Sequence, residues 1–104
     1  MDIALGSIEV LKNEASHRFE LHVEGYTAFI DYKEKVDSIY LIHTESPKEL
    51  AGRGVATALI EKTLAYLEKH QYRLVPLCPL VVAYIKRHKE WTRIVREDYL
   101  RIFE

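Results

Sequence analysis

The sequence predicts an α+β domain: an antiparallel meander, then a helix, another strand and a further helix. Three observations predict it. Apolar and polar residues alternate through the first half. After two closely spaced glycines, Gly52 and Gly54, the apolar period becomes that of a helix face. A short run ending in Pro76-Leu77-Cys78-Pro79 then separates that helix from a second amphipathic stretch.

Each element follows from its residues. Ile8 and Val10 predict one face of a short strand. Phe19, Leu21 and Val23 alternate with Arg18, Glu20 and His22, the pattern of a half-buried strand. Glu24-Gly25 marks a turn. Tyr26, Ala28, Ile30 and Tyr32 share one face of the next strand, and the charged stretch Lys33 to Asp37 predicts a second turn. The denser run Ile39-Tyr40-Leu41-Ile42 predicts a strand buried on both faces. Val55, Leu59/Ile60, Thr63/Leu64 and Leu67 then line one helix face, ending near His70, where Lys69 and His70 suit the negative helix end. Arg73 to Leu77 predicts a strand. Pro79 fits the first turn of a second helix carrying Leu80, Val81, Tyr84 and Ile85. Apolar residues at 91, 94/95, 99 and 102/103 predict a last helix from Trp91 to Phe103.

Composition narrows the function. At 104 residues, the chain is expected to form one domain, residues 1–104. It is 48% apolar and 30% charged, a globular balance. Its longest uncharged run, Leu74 to Ile85, is twelve residues, against about 20 for a membrane span. Met1 to Ala4 carry neither the positive cluster nor the apolar stretch of a secretory signal. One cysteine, Cys78, excludes an internal disulfide and a multi-cysteine zinc site. His17, His22, His70 and His88 have no ligand spacing, so no metal is expected. A cytoplasmic protein is expected, without nucleic-acid or membrane partners. The edge strands of the meander leave it a monomer or a weak homodimer. The charge is uneven. Residues 1–52 hold five basic and ten acidic side chains, and residues 53–104 hold ten and six. That division suits a cationic substrate meeting an anionic cofactor, or a solvated mixed surface.

The most informative stretch is Ile39 to Ala56. A buried strand leads through Thr44-Glu45-Ser46-Pro47 to Gly52-Arg53-Gly54-Val55-Ala56 and a helix. Glycines permit turns and a close backbone approach that side chains forbid. The first amides of a helix lack internal partners and, with the helix dipole, attract anions such as pyrophosphate. Arg53 adds a charge-assisted contact. A lone Gly-x-Gly also makes ordinary tight turns.

Glu49-Leu50-Ala51-Gly52-Arg53-Gly54-Val55-Ala56 resembles the pyrophosphate loop of GCN5-related N-acetyltransferases, written Q/R-x-x-G-x-G/A, with Glu49 in the first position. His43-Thr44-Glu45 before the loop, and Val75-Pro76-Leu77-Cys78-Pro79 followed by Ala83-Tyr84-Ile85, extend the likeness to a very short branch of that superfamily, over residues 7–90. The resemblance implies a GNAT-like fold in which the strand after the cofactor helix splays from its neighbour to admit acetyl-CoA. It implies transfer of acetyl to a primary amine on a small molecule or peptide. A non-catalytic acyl-CoA-binding module or interaction protein is the alternative.

It also implies roles. Backbone N–H groups near Ile42 to Thr44 polarise the thioester carbonyl. Amides of Gly52, Arg53, Gly54, Val55 and Ala56 hold the pyrophosphate, with the Arg53 side chain and the Thr57 hydroxyl assisting. Tyr84 stands where many relatives carry a tyrosine that protonates the departing thiolate; its other reading is core packing among Val81, Ala83 and Ile85. Cys78, at a strand-to-helix junction, replaces Tyr84 as acid, accepts the acetyl group covalently, or is a small buried hydrophobe. His43 takes a proton from the incoming ammonium or is a bonded histidine at a strand end. Glu45 does the same or holds the substrate cation. Lys86-Arg87-His88-Lys89 is a solvated helix end or a contact for the 3′-phosphate of the cofactor. Trp91, Tyr26, Tyr32 and Tyr40 are assigned to packing or groove lining.

Overall fold

The computed structural model describes residues 5–104; Met1 to Ala4, on which the expectation of no secretory signal rests, lie outside the described residues. Five strands form one sheet in the order β1-β2-β3-β4-β5: Leu11–Asn13, Arg18–Val23, Tyr26–Lys35, Ser38–Glu45 and Arg73–Pro76. Neighbours pair antiparallel except β4 and β5, which run parallel on either side of helix α1, Val55–Lys69. A parallel pair needs such a crossover, because a tight turn cannot reverse the chain twice. Helix α2, Pro79–Arg87, follows β5 with a proline in its first turn.

The meander grows from its turns. Glu24 and Gly25 both adopt positive φ, 52° and 84°, which matches the turn to the right-handed twist of β2 and β3. Phe19, Leu21, Val23, Ala28, Ile30, Ile39 and Leu41 are fully buried beneath α1, whose Val55, Leu59, Ile60, Thr63, Leu64 and Leu67 face them. The expected helix face is therefore the observed one. In α2, Val81, Tyr84 and Ile85 turn inward, while Leu80 is exposed.

Four expectations need correction. Ile8 and Val10 pack against the core without strand pairing, and the first strand begins only at Leu11, opposite Glu20. β3 continues through Lys33, Glu34 and Lys35, so the turn shrinks to Val36-Asp37. The charges are accommodated because Glu34 meets Lys12 and the Lys35 ammonium lies over the Tyr40 ring. β4 is not fully buried: Tyr40 and Ile42 are half-exposed. The last helix is two 3-10 segments, Lys89–Ile94 and Glu97–Phe103. Between them Val95 is extended and bridges in parallel to Leu74, which breaks the helical path.

Candidate functional site

After β4 the chain passes through Ser46-Pro47 and one 3-10 turn, Lys48–Leu50, whose Leu50 is buried and anchors the loop. Gly52 and Gly54 then adopt φ of 73° and 76°, the left-handed region where a side chain is strained. Gly54 is the N-cap of α1 and brings no side chain to cap it. The first backbone hydrogen bond of the helix runs from Ala58 N–H to Gly54 O, at 3.0 Å. The amides of Val55, Ala56 and Thr57 therefore have no intrahelical acceptor. They border a cleft of about 260 Å³ lined by Ser46, Pro47, Leu50, Ala51, Gly52, Gly54, Val55, Ala56 and Thr57. Among the described residues no carboxylate lines it. Glycine backbone, a fifteen-residue helix dipole and small hydroxyls suit a pyrophosphate.

Arg53 is placed elsewhere. Its guanidinium donates to Glu24 Oε2 at 2.9 Å, tying the loop to the β2–β3 turn instead of lining the cleft. In the sequence Glu24 is legible only as a turn residue.

A bulge in β4 divides the other candidates between two faces. Asp31 pairs with His43, but Tyr32 pairs with Leu41, so Ile42 is an extra residue. Paired residues share a face. Leu41 and Thr44 therefore lie with Tyr32 and Ile30 on the face beneath α1, and His43 and Glu45 lie with Asp31 and Phe29 on the other. On the open face His43 Nε2 lies 2.9 Å from Glu45 Oε2; in a neutral ring that donates from Nε2–H to the carboxylate, Nδ1 carries the lone pair. On the helix face Thr44 Oγ1 lies 3.1 Å from Cys78 Sγ, and both residues are buried.

β5 stops pairing at Leu41↔Pro76. Leu77 and Cys78 both donate their N–H to Leu41 O, and the chain then departs into α2. Among the described residues no strand covers the β5 side of Ile42–Glu45, so the splayed edge implied by the sequence lies between the phosphate-type loop and Cys78. Cys78 is the N-cap of α2, yet its sulfur makes no capping bond.

Tyr84 is buried in the core. Its ring lies 4.4 Å from that of His88. Burial pushes the phenol above its ordinary value and Glu61 adds to this, while a hydrogen bond from Trp91 opposes them. Tyr84 therefore stays protonated, held by the elements that follow α2. Among the described residues no three His, Cys, Asp or Glu side chains cluster as a metal site.

The family model described as GCN5-related N-acetyl-transferase matches residues 18–94. The chain belongs to this family. The match runs from β2 to the first 3-10 segment after α2, so it includes the loop, the bulged strand and Cys78. Membership in the GCN5-related family suggests an acetyltransferase and the general use of acetyl-CoA. A search of curated proteins found no match. No helix among the described residues is long and apolar enough to cross a membrane.

Sequence reasoning missed the Thr44 hydroxyl, having marked Thr44 only for its backbone. It also missed Ser46 and Pro47 as lining residues. The bulge has no sequence signal, since Ile42 continues an ordinary apolar run.

Proposed function

We propose that the protein transfers acetyl from acetyl-CoA to a primary amine of a small molecule or peptide. The observation that carries this reading is the two-sided edge of β4. A histidine–carboxylate pair stands on one face, a thiol stands on the other, and among the described residues no strand covers the edge between them.

The chemistry follows from that arrangement. The loop amides hold the pyrophosphate, Thr57 adding its hydroxyl, while backbone N–H groups at Ile42 to Thr44 polarise the thioester carbonyl. The amine arrives on the open face, where Glu45 attracts its charge and orients His43. His43 Nδ1 takes a proton from the ammonium, and the freed nitrogen attacks the acetyl carbon. As the tetrahedral intermediate collapses, the carbon–sulfur bond breaks and the coenzyme A sulfur takes its electron pair. The Cys78 S–H then supplies the proton that this thiolate needs. The nitrogen gives up two protons in turn, one before attack and one as the amide forms, each passing through His43 to water, and Cys78 regains one from water. Among the described residues no base contacts Cys78, so this direct transfer suits the site better than a covalent acetyl-cysteine. Tyr84 supports α2 by packing, and Arg53 steadies the loop through Glu24.

Calorimetry with acetyl-CoA, followed by an amine panel, tests the reading. Binding heat, turnover of at least one amine, and roughly a hundredfold loss of kcat in Cys78→Ala or His43→Gln are expected. Heat without turnover on any amine would favour the passive acyl-CoA-binding module. Wild-type turnover in both variants would remove the assigned roles.

A further inference from the structure

Cys78 sits at a helix start but does not cap it, so its sulfur is free to be held from elsewhere. His43 and Glu45 are on the opposite face of β4 and do not reach it. Among the described residues the one side chain hydrogen-bonded to the sulfur is Thr44, at 3.1 Å. This contact depends on the bulge. With regular pairing through Ile42, alternation would put Thr44 on the open face and His43 beneath α1. The extra residue thus does two things together: it exposes the histidine pair and brings a hydroxyl to the thiol. Both partners are buried, where an unpaired hydroxyl is costly and a hydrogen bond to charge is strong.

We propose that Thr44 is a positioning residue, whose side-chain hydroxyl aims the Cys78 thiol at the leaving sulfur and then donates to the thiolate left behind. The inference rests on the acid role assigned to Cys78. The step is balanced. The Cys78 S–H bond breaks and the coenzyme A S–H bond forms. The negative charge moves from the coenzyme to Cys78, and the Thr44 O–H points at it. No bond to Thr44 is made or broken. Its backbone function toward the thioester is separate and survives loss of the hydroxyl.

Two substitutions test this. Thr44→Val keeps the shape and removes the hydroxyl; Thr44→Ser keeps the hydroxyl. Cys78 is the sole cysteine, so the pH profile of alkylation by iodoacetamide reports its thiolate alone, without substrate or turnover. The profile should move to higher pH in Thr44→Val, with about a tenfold slower reaction on its rising limb, and stay near wild type in Thr44→Ser. In turnover, Thr44→Val should lower kcat by a similar factor and leave the KM for acetyl-CoA unchanged. An unmoved profile in Thr44→Val, or equal shifts in Val and Ser, would overturn the proposal. Should Thr44→Val not fold, Thr44→Ala is read by the same rules. Undiminished turnover in Cys78→Ala would instead remove the acid role, while the alkylation profile still decides whether Thr44 governs the sulfur.

Discussion

Lys12 shows how one side chain settles a local fold. It stands on the shortest strand, its side chain only 7% exposed, and its ammonium lies 2.8 Å from Glu34 and 3.3 Å from the Tyr72 hydroxyl. The Tyr32 and Tyr72 rings lie 5.5 and 5.1 Å from it. Burial alone would lower its pKa, but the hydrogen bonds to Glu34 and Tyr72 outweigh burial and raise it. Glu34 responds oppositely. The Lys12 hydrogen bond holds its carboxyl below the ordinary 4.5, against the effect of burial. A depressed carboxylate stabilises the fold above its unfolded value and loses that contribution as pH falls through the folded one. Denaturant titrations of wild type and Glu34→Gln should therefore differ most well above 4.5 and converge in acid. Because the Glu34 side chain is 36% exposed, solvent screening limits the gap to about 1 kcal/mol. A gap independent of pH would refute the pairing. Nothing in the sequence linked positions 12 and 34, because the partnership is made by a strand too short to announce itself.

At the level of elements, helix α1 ends in a motif that the sequence located but did not describe. The sequence marks His70 as the end. The structure adds Tyr72 N–H to Leu67 O at 2.9 Å and Gln71 N–H to Glu68 O at 3.1 Å, with Gln71 at φ 62°. That pair of bonds is the Schellman closure, which glycine fits best. Gln71→Gly should raise stability by about 1 kcal/mol in chemical denaturation. Val36 is a sharper case: a β-branched residue at φ 48° and 99% exposed. Its strain has no packing return, so Val36→Gly should gain about 0.5 kcal/mol once the flexibility of glycine in the unfolded chain is subtracted. No gain, or a loss, in either variant would show that the turn conformation is not limiting. Helix faces and strand alternation were legible because burial enforces their periods. The β4 bulge and the 3-10 tail were not. An added residue leaves composition unchanged, and the Val95–Leu74 bridge is a long-range contact.

For the whole molecule, binding and stability are linked through the glycine loop. Acetyl-CoA at a hundred times its dissociation constant should stabilise the protein by about 2.7 kcal/mol, visible as a rise in Tm. Gly54→Glu should abolish that rise, since it adds a carboxylate beside amides suited to phosphate and strains a residue at φ 76°. A full shift in the variant would place the anion elsewhere. The loop was readable because its glycines and spacing are local. The placement of Arg53 on Glu24, Thr44 on Cys78 and Tyr84 in hydrogen-bond reach of Trp91 required the folded chain, since each joins elements that are separate in sequence.

The tail also finishes the sheet. Val95 lies along Leu74, Arg96 gives its amide to the Leu74 carbonyl at 2.8 Å, and the Arg96 guanidinium reaches the Tyr40 hydroxyl. The opposite margin is the three residues of β1. Among the described residues the bare stretch beside β5 is only the short edge Ile42–Glu45, so neither border offers a long ribbon on which another polypeptide can zip. Concentrated samples should accordingly stay dispersed rather than grow fibrils seeded from the margins of the sheet.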